Sequence, residues 1–158
     1  MTDLQRFTLD QLSEAVTASL SNELRRKQYR ENKNPLAGHC YVASEALYHL
    51  HQAYGDKNIF LYSHQMYWEN DSHWFLTAHN LTTFEQHVID LTVSQFKDTP
   101  DYVNARRAAF LTRYPSKRAI VVLHRVMDQL EPLQSGYGHI SIEKSPMNIV
   151  NRPMLNEF

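Results

Sequence analysis

Cysteine occurs once in this chain, at position 40. A single thiol excludes an internal disulfide and a cysteine-based zinc site. In a reducing compartment such a thiol stays available for chemistry, and the cytoplasm is the expected setting. Glycine is scarce too, with four among 158 residues, so no Gly-rich loop is there to cradle a phosphate. No apolar run approaches the ~20 residues of a membrane-spanning helix. The first residues, Met1 to Phe7, lack the basic start and apolar core of a signal peptide, so none is expected. Neither sign of charge is in excess: the formal net charge is −1, which leaves no whole-molecule field to draw nucleic acid or a membrane surface. The one basic run, Arg25, Arg26, Lys27, Arg30 and Lys33, reads as a solvated helix end or as a patch for an anionic partner.

What is present suits one folded domain over residues 1–158. Hydrophobic residues make up 42% and charged residues 21%, enough for a single core and against global disorder. Thr8 and Gln11 form a capping box, with Phe7 and Leu12 as a hydrophobic staple. Leu9, Leu12, Val16, Leu20 and Leu24 follow at helical spacing, predicting a packing helix to about Arg30. The stretch from Glu31 to Pro35 is a loop. A second helix is expected from His39 or Cys40 to Tyr54, stopped by Gly55, with Ala43, Ala46, Leu47 and Leu50 as its buried stripe. Then the period changes. Asn58 to Ser63 is a β-rich run, with Met66 to Glu69 its continuation or a loop. Asn70-Asp71 signals a turn, and His73–His79 and Glu85–Leu91 are two further strands. The three would pair as an antiparallel meander. Thr99-Pro100 predicts a helix opening with Pro at its first position and running to about Arg113. Ser116 caps a last helix with Ala119, Leu123, Val126, Met127 and Leu130 on one face, although Ile120-Val121-Val122 also permits a strand. A short edge strand is expected after Gly136, and an irregular tail with Pro146 and Pro153. The fold class is therefore α+β: a cysteine-bearing helix on a small antiparallel sheet, with helices before and after.

The chemistry gathers between residues 34 and 96. A thiol at a helix start, as at Cys40, meets unpaired N–H groups and the positive end of the helix dipole, which favour thiolate, the nucleophilic form. His73, between Ser72 and Trp74 on a predicted strand, supplies a general base. Asp90, alternating with Ile89 and Leu91, would face His73 from the neighbouring strand and set its tautomer. The Cys40 N–H is the expected oxyanion donor, with the Asn34 side chain beside it. Trp74 is the expected cleft wall against substrate, and His39 a cap or loop contact. His64, His73, His79 and His87 fall in one sheet region, but no His-Glu-x-x-His or cysteine-rich spacing accompanies them. Neither a metal nor another cofactor is expected.

Gly38-His39-Cys40 at a helix start, His73-Trp74 on a strand, and Ile89-Asp90-Leu91-Thr92 on the next, with Gln95-Phe96 beyond, resemble the papain-like superfamily, most of all its transglutaminase-like branch, in compact phage and bacterial forms. The resemblance spans about Asn34 to Phe96. It implies Cys40 as nucleophile, His73 as general base and acid, and Asp90 as orienting carboxylate. Papain-like proteases carry Gln six residues before the cysteine; here that position is Asn34, shorter but still a donor. The implied activity is acyl transfer at an amide or isopeptide bond of a protein or peptide, by a protease, deamidase or transglutaminase. The alternative is a binding module that keeps the fold without catalysis and grips a partner protein, in a phage or host-defence setting.

Overall fold

A computed structural model describes residues 6–134 and 149–150, the side chains of 132–134 and 149–150 excepted. It is an α+β arrangement of three helices and a small antiparallel sheet: α1 (Leu9–Ser19), α2 (Cys40–Tyr54), β1 (Ile59–Trp68), β2 (Asp71–Asn80), β3 (Gln86–Ile89), β4 (Arg106–Arg107), α3 (Lys117–Gln134) and β5 (Ile149–Val150), with strand order β4-β1-β2-β3-β5. No helix among the described residues is long and apolar enough to cross a membrane.

The start of α1 follows local chemistry. The Gln11 N–H donates to Thr8 Oγ1 at 3.1 Å, the Thr8 N–H donates to Gln11 Oε1 at 2.9 Å, and Phe7 and Leu12 are buried in the same core. Its end does not. The helix stops at Ser19, and Leu20 is extended. The Ser19 carbonyl, which a continuing helix would use, accepts from Arg125 of α3 at 2.9 Å, and Arg125 also donates to Ser21 Oγ at 2.7 Å. The expected helix to Arg30 is thus replaced by two 3-10 turns, Asn22–Leu24 and Lys27–Tyr29. Arg25 is no part of a solvated helix end. It is 3% exposed, and its guanidinium donates to the carbonyls of Tyr29 and Asn32, tying the loop together.

The bounds of α2 agree with expectation, and its stripe of Ala43, Ala46, Leu47 and Leu50 is buried. The meander also forms. β1 pairs with β2 from Ile59↔Asn80 to Trp68↔Asp71, and β2 with β3 from Leu76↔Ile89 to His79↔Gln86. The segment after Met66 continues β1, and the turn is one residue earlier than its sequence signal. Glu69 and Asn70 both take positive φ, at 50° and 66°, the two-residue geometry that matches strand twist.

Pleating sends alternate residues of β2 to opposite faces. Leu76 and Ala78, with Leu61 and Ile89, join all three helices in the main core. Phe75 turns the other way into a smaller cluster with Met66, Val88 and Tyr102.

No helix follows Thr99-Pro100. After a 3-10 turn at Tyr102–Asn104, β4 pairs with the outer edge of β1, His64↔Arg107 and Gln65↔Arg106. The Ala108 N–H donates to Ser63 O at 3.1 Å, and Ser63 Oγ donates to Ala108 O at 2.6 Å. An open strand edge outbids a modest local helix preference. α3 is helical throughout, which settles the choice between helix and strand at Ile120-Val121-Val122. Ser116 Oγ accepts from the Ala119 N–H at 3.3 Å as a cap and donates to Glu45 Oε1 at 2.5 Å, while the Ser116 N–H donates to Glu45 Oε2 at 3.2 Å. The edge strand expected after Gly136 falls outside the described residues. Of the tail expected to be irregular, the described residues 149–150 form β5: Val150 pairs with Val88 and Ile149 with Ile89.

Candidate functional site

Cys40 is the first residue of α2, and the route to it turns at Gly38. There φ is +83°, and an added Cβ would come within 2.6 Å of the Tyr29 ring. Glycine is required twice, for the left-handed backbone and for the ring lying against it. His39, 1% exposed, caps the loop with ring nitrogens 3.0 Å from Pro35 O and 2.9 Å from Ser21 O. Burial holds it below the usual histidine range, against the pull of those carbonyls and with help from the Arg25 charge.

His73 lies near the start of β2 and is 1% exposed; Asp90, also 1% exposed, follows the last residue of β3. They meet at 2.6 Å, His73 Nε2 to Asp90 Oδ2. A carboxylate only accepts, so Nε2 carries the proton and Nδ1 faces elsewhere. Nδ1 is buried and makes no hydrogen bond of standard geometry. Cys40 is the other neighbour that bears on the ring, moving its titration the same way as Asp90. Burial depresses the ring, but the bonds and charges of Asp90 and Cys40 outweigh it and raise its pKa to about 9. Phe96 stands edge-on to the ring, centroids 4.7 Å apart, and fixes its plane. The Cys40 sulfur is half-buried and 4.0 Å from the Ser72 carbonyl.

Asp90 is held from every side. Besides His73, its Oδ2 accepts from the Tyr102 hydroxyl at 2.8 Å. Its Oδ1 accepts from the Thr92 N–H at 3.2 Å and from Thr92 Oγ1 at 3.4 Å. Thr92 Oγ1 in turn accepts from Gln95 Nε2 at 2.8 Å.

Cys40 and His73 open into one cleft of about 250 Å³, with Tyr29, Tyr41, Trp74 and Phe96 among its walls. Trp74 is one wall of this cleft. It is 7% exposed and packed by Tyr41, edge-on at 5.0 Å, and by Phe110, stacked at 5.7 Å. Asn34 is employed otherwise. Its Nδ2 donates to Ser94 O at 3.0 Å and its Oδ1 accepts from the Leu36 N–H at 3.0 Å, so it staples the loop before α2 to the turn after β3. It is not among the residues lining the cleft. Gln95 is, and its Nε2 donates to Thr92 Oγ1.

Other histidines are structural in their contacts. His64 and His79 both meet the Thr77 hydroxyl, at 2.8 and 3.1 Å, on the sheet face away from α2. Burial first, then the charges of Arg107 and His79, hold His64 down to about 4.

Sequence reasoning missed Tyr102 and gave no task to Thr92 or Gln95. Thr92 had a signal in its place two residues after Asp90. Tyr102 had none, because the segment carrying it reads as helix. No protein-family model, no curated protein and no solved structure matches this chain.

Proposed function

We propose that the chain is a papain- or transglutaminase-like cysteine enzyme that transfers the acyl group of an amide or isopeptide bond in a protein or peptide. One observation carries the reading: Asp90 holds His73 by Nε2, and His73 and Cys40 line one cleft.

The Cys40 thiolate attacks the substrate carbonyl, and the S–C bond forms as the carbonyl oxygen becomes an oxyanion. The unpaired N–H groups at the start of α2 serve that oxyanion. With its pKa raised to about 9, His73 holds a proton at neutral pH. It passes this proton to the leaving nitrogen as the C–N bond breaks, leaving a thioester on Cys40. Neutral His73 then takes a proton from the incoming acceptor, which displaces Cys40. Water as acceptor gives a carboxylic acid, as in a protease or deamidase; a primary amine gives a new amide, as in a transglutaminase.

The test is the rate of Cys40 alkylation by iodoacetamide at pH 6 in wild type, His73→Ala and Asp90→Asn. Wild type should react at least about tenfold faster than His73→Ala, because a cationic imidazole beside a thiol favours the nucleophilic thiolate, and Asp90→Asn should fall between. Equal, slow alkylation in all three folded proteins would overturn the enzyme reading and leave a partner-binding cleft.

A further inference from the structure

We propose that Tyr102 is a positioning residue of this site: its hydroxyl fixes the Asp90 carboxylate and divides with His73 the one carboxylate oxygen that orients the imidazole. The inference rests on the Cys40–His73–Asp90 reading for its purpose, but its geometry and its test do not depend on turnover.

Tyr102 comes from outside the meander. It opens the 3-10 turn between β3 and β4 and is 4% exposed, its ring edge-on to Phe75 at 4.8 Å. Phe75 itself lies alongside the His73 ring, centroids 6.2 Å apart. Packing therefore aims the phenol as well as burying it. The hydroxyl donates to Oδ2, the oxygen that His73 Nε2–H uses, whereas Thr92 takes care of Oδ1. A donor on Oδ2 draws off part of the carboxylate charge, and the bond from His73 to that oxygen is weakened in proportion. Tyr102 thus tempers the hold of Asp90 on the imidazolium. This matters for a ring that must release its proton: a general acid works best with its titration near the working pH. The titratable groups that bear on the ring are Asp90 and Cys40 directly and Tyr102 through Asp90. Arg26, Glu69 and Asp71 line the same cleft.

The experiment is a pH titration of the His73 ring nitrogens by NMR, in wild type and in Tyr102→Phe, which keeps the packed ring. Loss of the hydroxyl should move the His73 titration upward by roughly half a pH unit, with circular dichroism unchanged. Thr92→Val, which removes a weaker donor from the other oxygen, should move it less. Should Tyr102→Phe fail to fold, 3-fluorotyrosine placed at position 102 gives the opposite sign. Its more acidic phenol donates more strongly and should move the titration down. An unmoved titration in whichever of these folds, or a shift of the wrong sign, overturns the assignment. The alkylation comparison reports on the enzyme reading separately. A slow Cys40 with a Tyr102-sensitive His73 would sink catalysis and leave this coupling standing.

Discussion

Glu45 is the clearest case of a residue whose task differs from its type. It is wholly buried in α2, and both carboxylate oxygens receive donors from Ser116, the cap of α3. A negative group at a helix N-terminus is favoured by the unpaired amides and the dipole there. Glu45→Ala leaves the half-buried Ser116 N–H and O–H without these partners and should cost about 1–3 kcal/mol in urea unfolding. Glu45→Gln keeps an acceptor and should cost about 1 kcal/mol. At the same scale the candidate site was partly legible. Cys40, His73 and Asp90 each sit in a local pattern that announces a role, because a helix start and alternating strands are short-range features. Asn34 misled: position relative to Cys40 suggested a donor, but an Asn in a tight loop bonds its own backbone neighbour, here the Leu36 N–H. Tyr102 was invisible, since its meeting with Asp90 depends on the path of a loop.

At the scale of elements, the turn into α2 decides where the thiol stands. Gly38→Ala meets two costs, the left-handed backbone and the collision with the Tyr29 ring. The first is worth about 1–2 kcal/mol. A double-mutant cycle separates them: in a Tyr29→Gly background, which removes the ring and also the Tyr29 Cβ 2.7 Å from the added carbon, the cost of Gly38→Ala should fall to that backbone part, read from urea melts of the four proteins. α2 and the meander could be read from sequence because their periods, 3.6 and 2, are carried by the buried residues themselves. The end of α1 could not, because the group that ends it, Arg125, belongs to α3. Nor could β4, whose conformation is decided by the free edge of β1. Both failures lie where a distant hydrogen-bond partner overrides local preference.

For the whole molecule, the buried histidines predict a dome of stability against pH. His64 is depressed to about 4 by burial and the charges of Arg107 and His79, and burial also lowers His39, His49, His51 and His79. Between pH 6.5 and 4 the unfolded chain therefore binds protons that the folded chain refuses, so stability falls as pH falls through this window. His73 is raised to about 9. Its contribution is complete below pH 6.5, declines as pH rises above that value, and is lost through pH 9. The melting temperature should peak near pH 6.5. His64→Asn should flatten the acid limb and His73→Ala the alkaline limb; limbs unchanged in both variants would show that other groups govern them.

Two-residue strands stand at both ends of the sheet order, β4 against β1 and β5 against β3. β4 is too short to serve as a template for a foreign strand, and it presents the exposed charges of Arg106 and Arg107. In the long hairpin of β1 and β2, with its ten-residue strands, the β1 edge is covered from Ser63 to Gln65 by that charged stub and Ala108. The loop that carries Tyr102 to Asp90 leads directly into that stub, so one stretch of backbone steadies the candidate site and covers the middle of an otherwise open strand edge.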